Sequence, residues 1–274
     1  MKSSVSMSDL KLVVTWAKAC AKILNKHQLE SYKKPLRIFH KEKLGITTNA
    51  DLAAEDFLIK KISKKFPTHQ IIAEEEAYRS GSKISQNTSD FVWLIDPLDG
   101  TNNFYNKLPF YSISIALCYR GSPVLGVVLN PMTGELFYAA KNRGAFLEKK
   151  IGEKKIKLKL SPKKEVKFSE AILSANFGHK LLTKRFKDEL PPVRTVRRLG
   201  SAALELSYVA AGMLDAYWEH TLQPWDVAAA GIICEEAGVK ISGIHENEFS
   251  PFSPSVLAAH PALYTRLKSL LNTR

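Results

Sequence analysis

Cysteine is scarce. Cys20, Cys118 and Cys234 are the only three in 274 residues, far apart and without a CxxC pair. That spacing excludes a disulfide framework and a thiolate zinc site, and fits a reducing compartment, so a cytoplasmic protein is expected. Each cysteine reads as a small core residue rather than a nucleophile. Long apolar runs are missing too. No stretch reaches the roughly 18 uninterrupted apolar residues of a transmembrane helix. "LVVTWAKACAKIL" near the N-terminus is broken by Lys18 and Lys22, and fits an amphipathic helix better than a signal peptide. His69, His179, His220, His245 and His260 form no cluster in sequence. Internal repeats and low-complexity linkers are absent.

Acidic residues are in the minority: 27 Asp and Glu against 40 Lys and Arg give a net charge of +13. Much of the surplus lies in "KKIGEKKIKLKLSPKKEVK" (149–167) and "VRTVRR" (193–198). Solvated alternating strands account for it, with Lys toward water and Ile or Leu inward. A site for a polyanion such as RNA is the other reading, but no RNP-type aromatic motif, zinc finger or Gly-rich KH loop accompanies the lysines.

What is present alternates. Helical spacing predicts helices over about 7–25 and 49–65, the second stopped by Pro67. "HQIIAEE" and "FVWLI" read as buried strands. "YSISIALCYR" turns through Gly121-Ser122-Pro123 into "VLGVVLN", and "ELFYAAK" follows the turn "PMTG". Beyond residue 145, strands are expected at "KIKLKL", "AILSA", "DAYWEH" and "SVLAAH", and helices at 201–211, 226–237 and from Pro261. Strands joined by tight turns predict an α+β fold with antiparallel or mixed sheets. A single catalytic domain of two subdomains is expected, about 1–145 and 146–274.

Chemistry concentrates in "FVWLIDPLDGTNNF" (91–104). Pro97 and Gly100 stiffen a turn after a buried strand and hold Asp96 and Asp99 toward one point. Two carboxylates forced together repel unless a cation lies between them. Such hard oxygen donors suit Mg²⁺, Mn²⁺ or Ca²⁺ rather than zinc. Further acids accompany them. "AEEE" puts Glu74 and Glu75 at the end of the preceding strand; "PWDVAAAGIICEEAG" puts Asp226 at a helix start; "TTNADLAAE" sets Thr48 three residues before Asp51. Singly, a surface cluster, a helix cap and a capping box explain these residues. Jointly they outline a metal site.

"IDPLDGTNNF" and "WDVAAAGIICEEAG" resemble the two signatures of the inositol monophosphatase family, the lithium-sensitive, Mg²⁺-dependent phosphatases. "AEE" before the first and "LGSAALELSYVAAGMLDAYWE" before the second extend the resemblance over most of the chain. It implies a five-layered αβαβα sandwich, a homodimer, and two to three Mg²⁺ ions. Glu74, Asp96 and the Leu98 carbonyl would hold one ion; Asp96, Asp99 and Asp226 a second; Glu74 would also face a third, looser one. Thr101 and Asp51 would orient or deprotonate the attacking water. Gly100 and Thr101 N–H groups would receive phosphate. Glu219, Asp226 and the Gly200-Ser201-Ala202 segment would meet the substrate.

Departures are small. Glu76 leaves the register of the glutamate ligand open by one, and Glu74 is preferred because it directly follows "IIA". Val239 stands where a second glycine is usual. A lysine is expected near the mobile metal loop, and Lys41 and Lys43 both qualify. The implied activity is hydrolysis of a small phosphorylated polyol or sugar, inositol monophosphate first. The alternatives are 3'-phosphoadenosine 5'-phosphate, histidinol-phosphate and fructose-1,6-bisphosphate phosphatases. Outside enzymes, the alternative is a basic RNA- or partner-binding protein on the same fold.

Overall fold

The computed structural model describes residues 6–41, 45–81, 89–176 and 188–272. In chain order these form α1 (Met7–Glu30), β1 (Ile38–His40), β2 (Ile46–Thr48), α2 (Asn49–Lys65), β3 (Gln70–Ala73), α3 (Glu74–Ser80), β4 (Phe91–Asp99), α4 (Thr101–Tyr105), β5 (Ser112–Tyr119), β6 (Ser122–Leu129), β7 (Leu136–Ala140), β8 (Ala145–Ile151) and β9 (Lys154–Lys159). They continue as β10 (Ile172–Asn176), β11 (Thr195–Arg197), α5 (Ala202–Ala210), β12 (Ala216–His220), α6 (Pro224–Ala237), β13 (Lys240–Ser242), β14 (Ser255–Ala259) and α7 (Pro261–Leu271).

Sequence explains the helices locally. Ser6 and Asp9 form a capping box that starts α1. Leu10, Val13, Trp16, Ala17, Cys20 and Leu24 then recur on one buried stripe. Thr48 and Asp51 cap α2 in the same way. Pro224 opens α6 and Gly238, in the left-handed region, closes it.

Five layers result. One sheet has strand order β3-β4-β5-β6-β7-β8-β9, parallel only between β3 and β4. The other, β11-β10-β12-β14-β13, is mixed. Helices α1 and α2 cover the outer face of the first sheet, burying Trp16, Leu24, Leu58 and Ile62 against Trp93, Ile115 and Val127. Helices α5 and α6 fill the space between the sheets, and α7 closes the second sheet with Leu263, Leu267 and Leu270. Packing in the middle layer is tight: a Cβ on Gly126 of β6 would stand 2.3 Å from the Ala229 carbonyl of α6.

The expected sandwich is therefore present. Details differ from the sequence reading. Glu74 and Glu75 do not end a strand but start α3, whose first turn carries Glu74, Glu75 and Glu76; acids there complement the helix dipole. Asp96-Pro97 is not a turn outside the strand. β4 runs on to Asp99, and a bulge lets Asp96 pair with Ser114 while Asp99 pairs with Ser112. A bulge re-aims side chains, here both aspartates. α1 runs longer than expected, α6 begins two residues earlier, and β8, which leads into the lysine-rich stretch, is a strand that the sequence reading did not expect.

Candidate metal centre and active site

The site gathers at the bulged end of β4. Asp96 is buried, and its Oδ1 accepts the Leu98 N–H at 2.9 Å. Burial first, then the charges of Glu74, Asp99 and Asp226, push its carboxyl well above the usual carboxylate range. Asp226, in the first turn of α6, is raised by burial and by Glu74. Its Oδ2 accepts the Gln223 N–H at 2.7 Å, so the capping role and a place in the acid cluster coexist. Asp99 is pushed up to about 7, chiefly by burial. Its Oδ2 accepts Ser201 Oγ at 2.5 Å, Ala203 N at 2.8 Å and Ser112 Oγ at 3.3 Å.

Glu74 is half-buried beside Asp96, Glu75 is buried and Glu76 is exposed. Lys41 Nζ lies 2.6 Å from Glu74 Oε1 and 3.0 Å from Glu75 Oε1. Lys43, the other candidate, lies outside the described residues. Glu75 is further held by Thr47 Oγ1 at 2.6 Å, and its N–H donates to Glu55 Oε2 at 2.7 Å. Glu75 thus has a structural partnership, whereas Glu74 faces the other acids.

Asp51 is buried. Its Oδ2 accepts Thr48 N at 2.8 Å and Thr48 Oγ1 at 2.5 Å, which leaves Oδ1 free to meet Thr101 Oγ1 at 3.0 Å. The same hydroxyl is 3.1 Å from the Leu98 carbonyl. Burial raises Asp51 to about 7, although Thr48 opposes the shift.

Gly100 has φ +93°, and a Cβ on it would lie 3.0 Å from the Gly200 carbonyl. This close approach joins the 98–101 turn to the Gly200-Ser201-Ala202 segment. Asn103 Nδ2 ties the two further, donating to Phe110 O and Leu199 O, both at 2.7 Å. Glu219, at the end of β12, accepts Asn176 Nδ2 at 2.5 Å and the Tyr217 hydroxyl. Burial raises it to about 7. Tyr217 and Trp218 are both core residues, on opposite faces of the sheet, as alternation requires.

The donor set fits a hard divalent cation in kind: carboxylates and one carbonyl, all oxygen, crowded at one strand end. Among the described residues no three His, Cys, Asp or Glu side chains form a ready-made cage. What the described residues build is a concentration of negative charge at Asp96, Asp99, Asp226 and Glu74, which Lys41 offsets through Glu74.

Residues missed in the sequence also hold the site. Glu205 is buried in α5 and accepts Gly200 N at 3.1 Å, Ser201 N and Leu199 N at 3.3 Å, and the Ser174 hydroxyl. Its signal was legible: a lone acid in the otherwise apolar helix "AALELSYVA". Ser112, Thr47 and Glu55 carried no comparable signal, since each acts through tertiary contact.

Comparison with known proteins agrees with the fold and the motifs. The family model of the inositol monophosphatase family matches residues 9–273. The inositol-1-monophosphatase of Caulobacter vibrioides is 35% identical over 246 residues, 85% of this chain and 91% of the relative. Inositol monophosphatase 3 of Solanum lycopersicum is 34% identical over 271 residues, 96% of each chain. The Nus factor SuhB of Pasteurella multocida is 36% identical over 231 residues, 82% of this chain and 80% of the relative. Among solved structures, the IMPase of Thermotoga maritima superposes with a TM-score of 0.81 at 28% identity, covering 97% of both chains.

Proposed function

The chain belongs to the inositol monophosphatase family and is a phosphoric monoester hydrolase; from that premise we propose that it is a Mg²⁺-dependent phosphatase of inositol monophosphate and similar polyol monophosphates. The observation that carries the reading is the meeting of Asp96, Asp99, Asp226 and Glu74 at one buried strand end, where burial and the neighbouring acids raise the three aspartates. Glu74, Asp96 and the Leu98 carbonyl would hold one Mg²⁺, and Asp96, Asp99 and Asp226 a second. Such ions neutralise phosphate charge, acidify the attacking water and stabilise the leaving alkoxide.

The chain's own groups do the rest. Thr101 Oγ1 donates to Asp51 Oδ1, 3.0 Å away, and so turns its lone pairs to a water in the site; as that water attacks, its proton would pass to Thr101 Oγ1 while the Thr101 proton passes to Asp51. A base held near pH 7 suits that proton transfer. The Gly100 and Thr101 N–H groups face the phosphate. Glu219, fixed by Asn176 and Tyr217, accepts hydrogen bonds from substrate hydroxyls. The pocket's acids suit a polyol and offer nothing for an adenine ring to stack on.

The family resemblance further supports a homodimer and inhibition by Li⁺. The cysteines Cys20, Cys118 and Cys234 are free and buried, in keeping with a reducing compartment. No helix among the described residues is long and apolar enough to cross a membrane.

The test is phosphate release from a panel of monoesters with and without millimolar Mg²⁺. Inositol monophosphates should be hydrolysed faster than 3'-phosphoadenosine 5'-phosphate, histidinol phosphate or fructose 1,6-bisphosphate, with Li⁺ inhibiting and Ca²⁺ failing to replace Mg²⁺. Absence of Mg²⁺-dependent release from every ester would overturn the reading. Faster release from the adenine nucleotide would overturn only the substrate.

A further inference from the structure

The far edge of the first sheet carries a second feature, independent of the phosphatase reading. In the β8–β9 hairpin, Phe146 pairs with Lys159, Glu148 with Lys157 and Lys150 with Lys155. Directly opposed residues share a face, and alternate pairs share the same face. Lys150, Lys155, Lys157 and Lys159 therefore project to one side. Lys18 of α1 faces them, 3.7 Å from Glu148. Between helix and hairpin runs a groove of about 250 Å³, lined by Lys18, Glu148, Lys150, Lys155 and Lys157 among others. Lys11 and Lys22 extend the line, since spacings of seven and four residues from Lys18 keep them on one exposed stripe of α1.

Charge in this groove is only partly compensated. Among the described residues that line it, Glu148 is the one carboxylate; it accepts the Tyr138 hydroxyl at 2.7 Å, pairs with Lys18 and stands opposite Lys157, while Lys149 pairs with Glu135 at 3.6 Å. Among the described residues, Lys150, Lys155 and Lys157 have no carboxylate within ion-pair distance. Lys150 and Lys155 sit directly across from each other, an arrangement that costs stability by like-charge repulsion. Guarding the exposed edge of β9 against strand addition needs a charge or two on that strand. It does not need a facing stripe on α1.

We infer that this groove binds the backbone of single-stranded nucleic acid, without base selection, on a face separate from the metal centre. The ligand must be a linear polyanion, because the cations follow a groove rather than a point. A membrane is flat and does not enter a groove. No free aromatic platform lines it: the Tyr138 and Phe146 rings lie under the Lys157 ammonium. Readout is thus electrostatic. Five strand spacings separate β9 from β4, about 24 Å at ~4.8 Å each, so strand binding and phosphate release are independent.

The test is fluorescence anisotropy of the full chain with labelled 20-nucleotide oligo(U) and oligo(A) between 50 and 300 mM NaCl. Four neutralised phosphates predict a log–log slope of about −3, with the two oligonucleotides bound equally within about twofold. K150Q/K155Q/K157Q should flatten the slope by about 2 and lose at least tenfold in affinity at 50 mM, with ester hydrolysis unchanged and Tm unchanged or raised as the Lys150–Lys155 repulsion is relieved. K33Q/K34Q/K60Q, the same charge change on exposed lysines elsewhere, should leave binding intact. If the groove triple proves unstable, K155Q alone should flatten the slope by roughly 0.7. Equal losses in both triples, a wild-type slope shallower than −1, preferential binding to phosphatidylserine vesicles, or competition between oligonucleotide and small ester would each overturn the inference. The last outcome would assign the anion to the metal centre and leave the phosphatase reading standing.

Discussion

Ser201 Oγ stands 2.5 Å from Asp99 Oδ2, across 102 positions of sequence. The same carboxylate oxygen receives the Ala203 N–H at the start of α5. Asp99 is thereby both a proposed metal ligand and a cap of the helix that follows the proposed substrate segment. A hydrogen bond to a charged group is worth roughly 1.5–3 kcal/mol. Ser201→Ala should therefore leave the fold intact but raise the Mg²⁺ concentration for half-activation by roughly tenfold. A Mg²⁺ titration of initial rates checks this, and an unchanged titration would detach Ser201 from the metal centre.

Asp96 is assigned to both ions, and it is crowded by Glu74, Asp99 and Asp226. Asp96→Asn should abolish turnover. It should also raise the Tm of the metal-free protein, because repulsion among the acids is relieved. Near-normal Mg²⁺-dependent activity in this variant would sink the assignment.

Metal-free stability should depend on pH with a definite sign. Asp51 and Asp99 are raised to about 7, and Asp96 well above the usual carboxylate range, against about 4 for an unfolded carboxylate. Between those values the folded chain binds more protons than the unfolded one. The contribution of these groups to stability is therefore complete below about pH 4 and is lost as pH rises through 7. In EDTA the Tm should fall from pH 5 to pH 8, each kcal/mol costing roughly 2–4 °C in a chain of this size. Excess Mg²⁺ at pH 8 should restore it. A Tm that rises with pH in EDTA would contradict the crowded-acid picture.

Much of this was legible in the sequence, for physical reasons. The 3.6-residue stripe of α1, the capping box of α2 and the turn chemistry between β5 and β6 are local, so they survive without tertiary context. Asp96, Asp99 and Asp226 stand out because carboxylates next to long apolar stretches demand a reason. What failed was non-local. Whether Glu74 ends a strand or begins a helix depends on how β3 meets α3. The bulge in β4 depends on pairing with Ser112 and Ser114. The lysines of β9 read as one ordinary solvated face. Only the pairing with β8 and the approach of α1 reveal that they line a groove, while Leu158 on the other side stays 47% exposed.

In the proposed reading, selection of the alcohol rests on Glu219, and the geometry around it fixes what a substitution should do. The proposed metal ligands and the Gly100-Thr101 turn would grip phosphate alone and could not tell one alcohol from another. Glu219 Oε1 is held by Asn176 and its other oxygen by Tyr217, so the side chain is set before substrate arrives, and preorganisation of this kind sharpens selection. Each carboxylate oxygen has a second lone pair for a substrate hydroxyl. Glu219→Gln keeps shape and removes the charge, at a cost of about one charge-assisted hydrogen bond. It should lower kcat/KM for inositol monophosphate roughly tenfold and barely change p-nitrophenyl phosphate, which has no hydroxyl to offer. Tyr217→Phe, which frees one oxygen without removing the carboxylate, should produce the same selectivity change in smaller measure. Equal losses on both esters in Glu219→Gln would mean that the residue supports the metal centre rather than the polyol, and the substrate proposal would fall while hydrolase activity remained.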